Sequence, residues 1–158
     1  MDNQNETNAQ EALFKGMKLM MSGDFKNAVN EFSEAISLCP ENSMYYQNRG
    51  MSYSQIGENA NAINDFTEAV RLNPGDHVSY FYRGITNFQM GQCDQSIKDF
   101  SEAIGINPND YKYYMMRGTV YSQLGKISLA REDVEKTLTL NPDSTVRFEA
   151  QKMLEKMR

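Results

Sequence analysis

The sequence contains no tryptophan, one histidine and two cysteines among its 158 residues. His77 has no cysteine or second histidine at metal-ligand spacing, so no metal site is expected. Cys39 and Cys93 lie far apart, one closing a helix and one opening another. A disulfide between them is not expected, and both read as small thiols of a reducing, cytoplasmic compartment. No apolar run approaches the roughly 18 residues of a membrane span, and no charged-then-apolar leader is expected. Positive charge is scarce as well: 16 Lys and Arg stand against 21 Asp and Glu, a net charge of −5 without a basic cluster. That balance argues against nucleic acid as a partner. The GxxxxGK[ST] phosphate loop, the GxGxxG dinucleotide turn, HExxH and GxSxG are all absent. Neither catalysis nor a cofactor is expected.

Proline and glycine are few, and their places are telling. Pro40, Pro74, Pro108 and Pro142 are spaced by 34 residues. Gly16, Gly50, Gly84 and Gly118 share that spacing, as do Gly23, Gly57, Gly91 and Gly125. Between these breakers each unit reads as two helices. In the second unit helix A is expected over Met44–Ile56 and helix B over Asn59–Leu72. Gly57 takes the turn, where positive φ is free of a Cβ penalty, and Pro74 cannot continue helix B. Gly50 sits inside helix A, where glycine costs about 1 kcal/mol relative to alanine. Its recurrence predicts a close helix approach, expected opposite Ala62. Phe32, Phe66 and Phe100, and Ala35, Ala69 and Ala103, supply alternating large and small packing positions.

These residues carry a resemblance. The chain resembles a tetratricopeptide-repeat (TPR) protein, a family of 34-residue helix pairs. Tyr46, Gly50, Tyr53, Gly57, Ala62, Phe66, Ala69 and Pro74 match in the second unit, with tyrosine in the slot usually held by tryptophan. Tyr80, Gly84, Gly91, Phe100, Ala103 and Pro108 match in the third, and Tyr114, Gly118, Tyr121, Gly125, Ala130 and Pro142 in the fourth. The first unit keeps Gly16, Gly23, Phe25, Ala28, Phe32, Ala35 and Pro40. Departures fall at Asn87, which replaces an aromatic and needs a hydrogen-bond partner if buried, and at Ser96, which replaces a small alanine. The resemblance implies an all-α fold: a right-handed superhelix of antiparallel helix pairs.

The units run 9–42, 43–76, 77–110 and 111–144. Residues 1–8 are polar and without periodicity, and are expected to form a disordered tail. Residues 145–158 are expected to form a capping helix, with Val146, Met153, Leu154 and Met157 on the fourth unit and Arg147, Glu149, Lys152, Glu155, Lys156 and Arg158 facing water. Lys15, Arg49, Arg83 and Arg117 each precede an acid by 16 residues, at Glu31, Asp65, Asp99 and Asp133. A hairpin turning at the second glycine brings each pair level, so four ion pairs are expected. Glu34, Glu68 and Glu102 read as a solvated outer face.

The resemblance also implies a concave groove lined by helix A. Its positions fall on Met17 and Met21, with Gln10, Leu13, Phe14 and Met20 beside them, in the first unit. The second unit gives Met44, Gln47, Asn48, Met51 and Gln55, with Ser54. The third gives Val78, Phe81, Tyr82, Ile85 and Gln89, with Phe88. The fourth gives Lys112, Met115, Met116 and Thr119, with Ser122 and Gln123. Lys112 alone is charged, and seven of the eleven methionines fall here. Methionine adapts to varied apolar partners, and the glutamines can bond a ligand backbone. The expected ligand is therefore a neutral or apolar peptide or amphipathic helix of another protein, bound by a scaffold or adaptor. The alternative is a homo-oligomer, with a second copy or a terminus filling the groove. Some TPR domains hold the acidic C-terminus of Hsp70 or Hsp90 with a carboxylate clamp of Lys, Asn and Arg. Asn48 matches one clamp slot, but Leu13, Met17, Val78 and Tyr82 occupy the slots of the basic residues, so that partner is not expected.

Overall fold

The computed structural model describes residues 3–157. Among them the chain forms helices only: α1 (Asn3–Met21), α2 (Phe25–Leu38), α3 (Ser43–Gln55), α4 (Asn59–Leu72), α5 (His77–Gln89), α6 (Cys93–Ile106), α7 (Tyr111–Gln123), α8 (Ile127–Thr139) and α9 (Ser144–Lys156). The first eight pair as four antiparallel hairpins, and α9 packs against α8.

Caps and turns repeat with the sequence. Asn42, Asp76 and Asp110 stand before α3, α5 and α7, and each carboxylate or amide oxygen accepts a backbone N–H of the first turn. At the other end of α3, Gly57 takes φ 80°. Its N–H donates to Ser54 and that of Glu58 to Tyr53, at 3.2 and 2.9 Å. These two bonds close the helix in the paired pattern that a left-handed residue permits.

The core runs as a thread of rings through the hairpins: Phe32, Phe66 and Phe100 are completely buried, and Val134 takes the fourth place. The mid-helix glycine is explained by this thread rather than by Ala62. A Cβ on Gly50 would lie 2.9 Å from Phe66 Cε1, and one on Gly84 would lie 2.7 Å from Phe100 Cε1. The glycine is the seat of the ring on the facing helix.

Two expectations need correction. The polar residues from Asn3 to Asn8 belong to α1 rather than to a disordered tail; Met1 and Asp2 lie outside the described residues. Glu6 in the first turn suits the positive end of the helix dipole, and Gln4 Nε2 donates to Asn8 Oδ1 at 2.9 Å, one turn away. Secondly, of the four expected ion pairs three form. Arg49, Arg83 and Arg117 pair with Asp65, Asp99 and Asp133 at 2.8, 2.6 and 2.8 Å, whereas Lys15 is exposed and one Glu31 oxygen is buried without a partner. The junction before α9 differs from the earlier ones: Asn141 takes φ 52° and α8 ends at Thr139.

Asn87 finds the partner its burial demands. Its Nδ2 donates to Asp99 Oδ2 at 2.9 Å. Ser96 does not: its Oγ is buried and unbonded.

Candidate functional site: the face of the odd-numbered helices

Curvature follows from which helices touch. α1 contacts α3, α3 contacts α5 and α5 contacts α7, while the even-numbered helices make no comparable contact with one another among the described residues. The array therefore bends toward the odd-numbered helices, and their free face is the inner one.

The three arginines do not reach that face. Arg49 donates Nε and Nη2 to the two oxygens of Asp65, both at 2.8 Å, and Nη1 to Ser33 on the preceding hairpin at 3.0 Å. Arg83 reaches Thr67, and Arg117 reaches Ser101, in the same way. Each guanidinium thus ties its own hairpin to the one before it. Rings of Tyr46 and Tyr53 flank Arg49, and Tyr114 and Tyr121 flank Arg117. Donating to Asp65 holds the Arg49 guanidinium even more firmly protonated. Burial pushes the Asp65 carboxyl upward, with the Arg49 bonds opposing. Lys15 lacks this setting: Ala12 and Leu19 stand where the flanking tyrosines would be, and an ammonium cannot make the forked contact.

Every one of the sixteen residues expected to line the groove retains accessible surface. Met17, Met21, Met44, Gln55, Gln89 and Lys112 are exposed, and Gln47, Asn48, Met51, Val78, Phe81, Tyr82, Ile85, Met115, Met116 and Thr119 are half-buried. Met21 is 89% exposed and its neighbour Phe14 67%. Several polar members are partly engaged. Gln47 Nε2 donates to Asp76 Oδ2 at 2.7 Å and to Ser79 Oγ at 3.2 Å, and Asn48 Nδ2 donates to the Met44 carbonyl. Gln55, Gln89 and Gln123 form an exposed row at the ends of α3, α5 and α7, again 34 residues apart.

Phe81 and Tyr82 join a chain of rings between hairpins. Tyr82 stacks on Phe66, and Phe81 lies against Phe100 and Tyr113, 4.9 Å from the latter. His77 Nδ1 and Tyr113 Oη are 2.6 Å apart. Burial, then the charge of Asp110, pushes the Tyr113 hydroxyl up to about 12.

At the far end a shallow, open cleft between α7 and α9 is lined by Thr119, Ser122, Gln123, Glu149, Lys152, Met153 and Lys156. Glu149, Lys152 and Lys156 are exposed, as expected of the solvent side of a cap, and the open cleft they share with α7 was not foreseen. The 34-residue grid carries the signal: Met153 and Lys156 follow Thr119 and Ser122 by one period. Among the described residues no group of three or more His, Cys, Asp or Glu side chains could hold a metal, and no helix is long and apolar enough to cross a membrane.

The tetratricopeptide-repeat family profile matches residues 45–76 and 111–144. The chain is a tetratricopeptide-repeat protein. Residues of this TPR chain are 49% identical over 41 positions to Hsp70-Hsp90 organizing protein 1 of Arabidopsis thaliana, a match covering 26% of the chain. The chain spans only 7% of the length of that relative. Among solved structures, a crystal structure of MamA superposes with TM-score 0.78 at 26% identity, over 90% of this chain and 91% of that one. A tetratricopeptide repeat protein from Parabacteroides merdae superposes with TM-score 0.84 at 22% identity, over 96% and 60%. The first TPR of Spaghetti (RPAP3), solved bound to the HSP90 peptide SRMEEVD, superposes with TM-score 0.75 at 22% identity, over 76% and 95%. The all-α superhelix is thus that of the TPR solenoids.

Proposed function

We propose that this TPR chain is a non-catalytic scaffold or adaptor whose odd-helix groove holds a neutral or apolar stretch of another protein. One observation carries the reading: sixteen accessible lining residues include a single charge, Lys112, because the three repeating arginines are committed between hairpins. A ligand carboxylate needs charge-assisted partners. At the clamp slots Leu13 is buried and Tyr82 is stacked on Phe66. This supports a ligand unlike the HSP90 peptide held by the Spaghetti domain. The two free thiols fit work in a reducing, cytoplasmic compartment.

The test replaces Met51 and Ile85 together with glutamate, confirms helicity by circular dichroism, and compares proteins captured from lysate with those captured by a Glu34→Lys/Glu102→Lys control. Partners lost only with the groove variant support the reading; identical capture by both removes the groove from it. The exposure of Phe14 and Met21 favours one other occupant, a second copy. Light scattering across concentration decides that reading, which a monomer at every concentration ends.

A further inference from the structure

The groove is not uniform along its length. At the α1 end lie Phe14, Met17 and Met21, all exposed and on one stripe of the helix. In the middle stand the glutamine amides. At the α9 end two ammonium groups, Lys152 and Lys156, share a cleft with one carboxylate, Glu149. Among the described residues neither lysine joins an ion pair. This cleft is locally positive on a chain whose net charge is −5. Lys112 is separate, since it stands at the opposite end of α7, beside Asp110 and Asp143.

We infer that the groove binds its partner in one direction, with the neutral or apolar stretch starting over α1 and α3 and an acidic flank, beyond that stretch, in the α7–α9 cleft. This rests on the peptide-groove reading above and adds the ligand's polarity. Charge complementarity commits the cleft to carboxylates, because two unpaired ammonium groups attract acids and repel basic residues. Polarity also fixes register, which an apolar trough alone leaves free to slip. Adjacent odd-numbered helices lie roughly 10 Å apart. The three steps from α1 to α7 need about nine residues of extended chain at ~3.3 Å each. The apolar and acidic clusters should therefore stand about ten residues apart.

A random peptide library of about 16 residues, long enough for that span, is panned against the full chain and against Lys152→Glu/Lys156→Glu. A Lys152→Gln/Lys156→Gln variant guards against a folding defect, with circular dichroism on all three. Expected is enrichment, on the unmodified chain, of peptides with an apolar cluster at one end and Asp or Glu at the other. On the glutamate variant the acids give way to Lys or Arg while the apolar cluster persists. By anisotropy, acid-flanked peptides should bind the glutamine variant roughly tenfold more weakly. Apolar peptides without acid enrichment, or equal acid enrichment on the variants, overturn this inference and leave the groove reading standing. No enriched peptide, or a chain that dimerises at panning concentration and releases none, overturns both.

Discussion

At the scale of single residues, the repeat explains where the sequence obeys its own grid and where departures cost stability. Ser96 occupies an alanine slot with its hydroxyl buried and unbonded. An unsatisfied buried polar group costs roughly 1–3 kcal/mol, so Ser96→Ala should raise stability by about 1 kcal/mol or more, read from urea unfolding followed by circular dichroism. The glycines divide in the same way. Gly84→Ala drives a Cβ against buried Phe100 and should lose about 2 kcal/mol despite better helix propensity. Gly105→Ala meets nothing within 4 Å and should gain up to about 1 kcal/mol. Gly50 and Gly84 were legible as close-contact positions. What they contact was not, because Phe66 and Phe100 reach across the hairpin by a side-chain path that spacing alone does not trace.

At the scale of elements, the Arg–Asp pairs were legible within hairpins, but their reach to Ser33, Thr67 and Ser101 was not. Those hydroxyls recur on the grid, yet serine and threonine on an outer helix read equally well as solvated. Because Arg49 joins three helices, Arg49→Ala leaves Asp65 buried without its partner and should cost about 3 kcal/mol. Lys15→Ala, on an exposed side chain with no ion pair, should change stability by less than about 0.5 kcal/mol. The contact between α5 and α7 carries a pH signature. Tyr113 has its hydroxyl raised from 10.0 to about 12, so folding favours the neutral phenol. That contribution is complete below pH 10 and is lost as pH rises toward about 12. Urea midpoints should fall across this window, and Tyr113→Phe should remove that part of the fall. Asp143 shifts the other way. The N–H of Val146 and then the hydroxyl of Tyr111 hold its carboxyl below the usual range. Its support for α9 is therefore present near neutrality and is lost on acidification through the carboxylate range.

At the scale of the whole molecule, the order of helix pairs was legible from four prolines and eight glycines at a fixed period, and the superhelix from the family resemblance that those residues carry. That the sixteen helix-A positions keep accessible surface was legible from their place on the grid. That Lys152 and Lys156 share a cleft with α7 was not, because exposed lysines of a last helix read as those of a solvated cap. The central claim is that binding happens on the inner, odd-numbered helices. Amide hydrogen exchange of the chain, with and without a saturating peptide selected from the library, tests it most directly. The account predicts slowed exchange in α1, α3, α5 and α7 with α2, α4, α6 and α8 unchanged; protection confined to the even-numbered helices would contradict it.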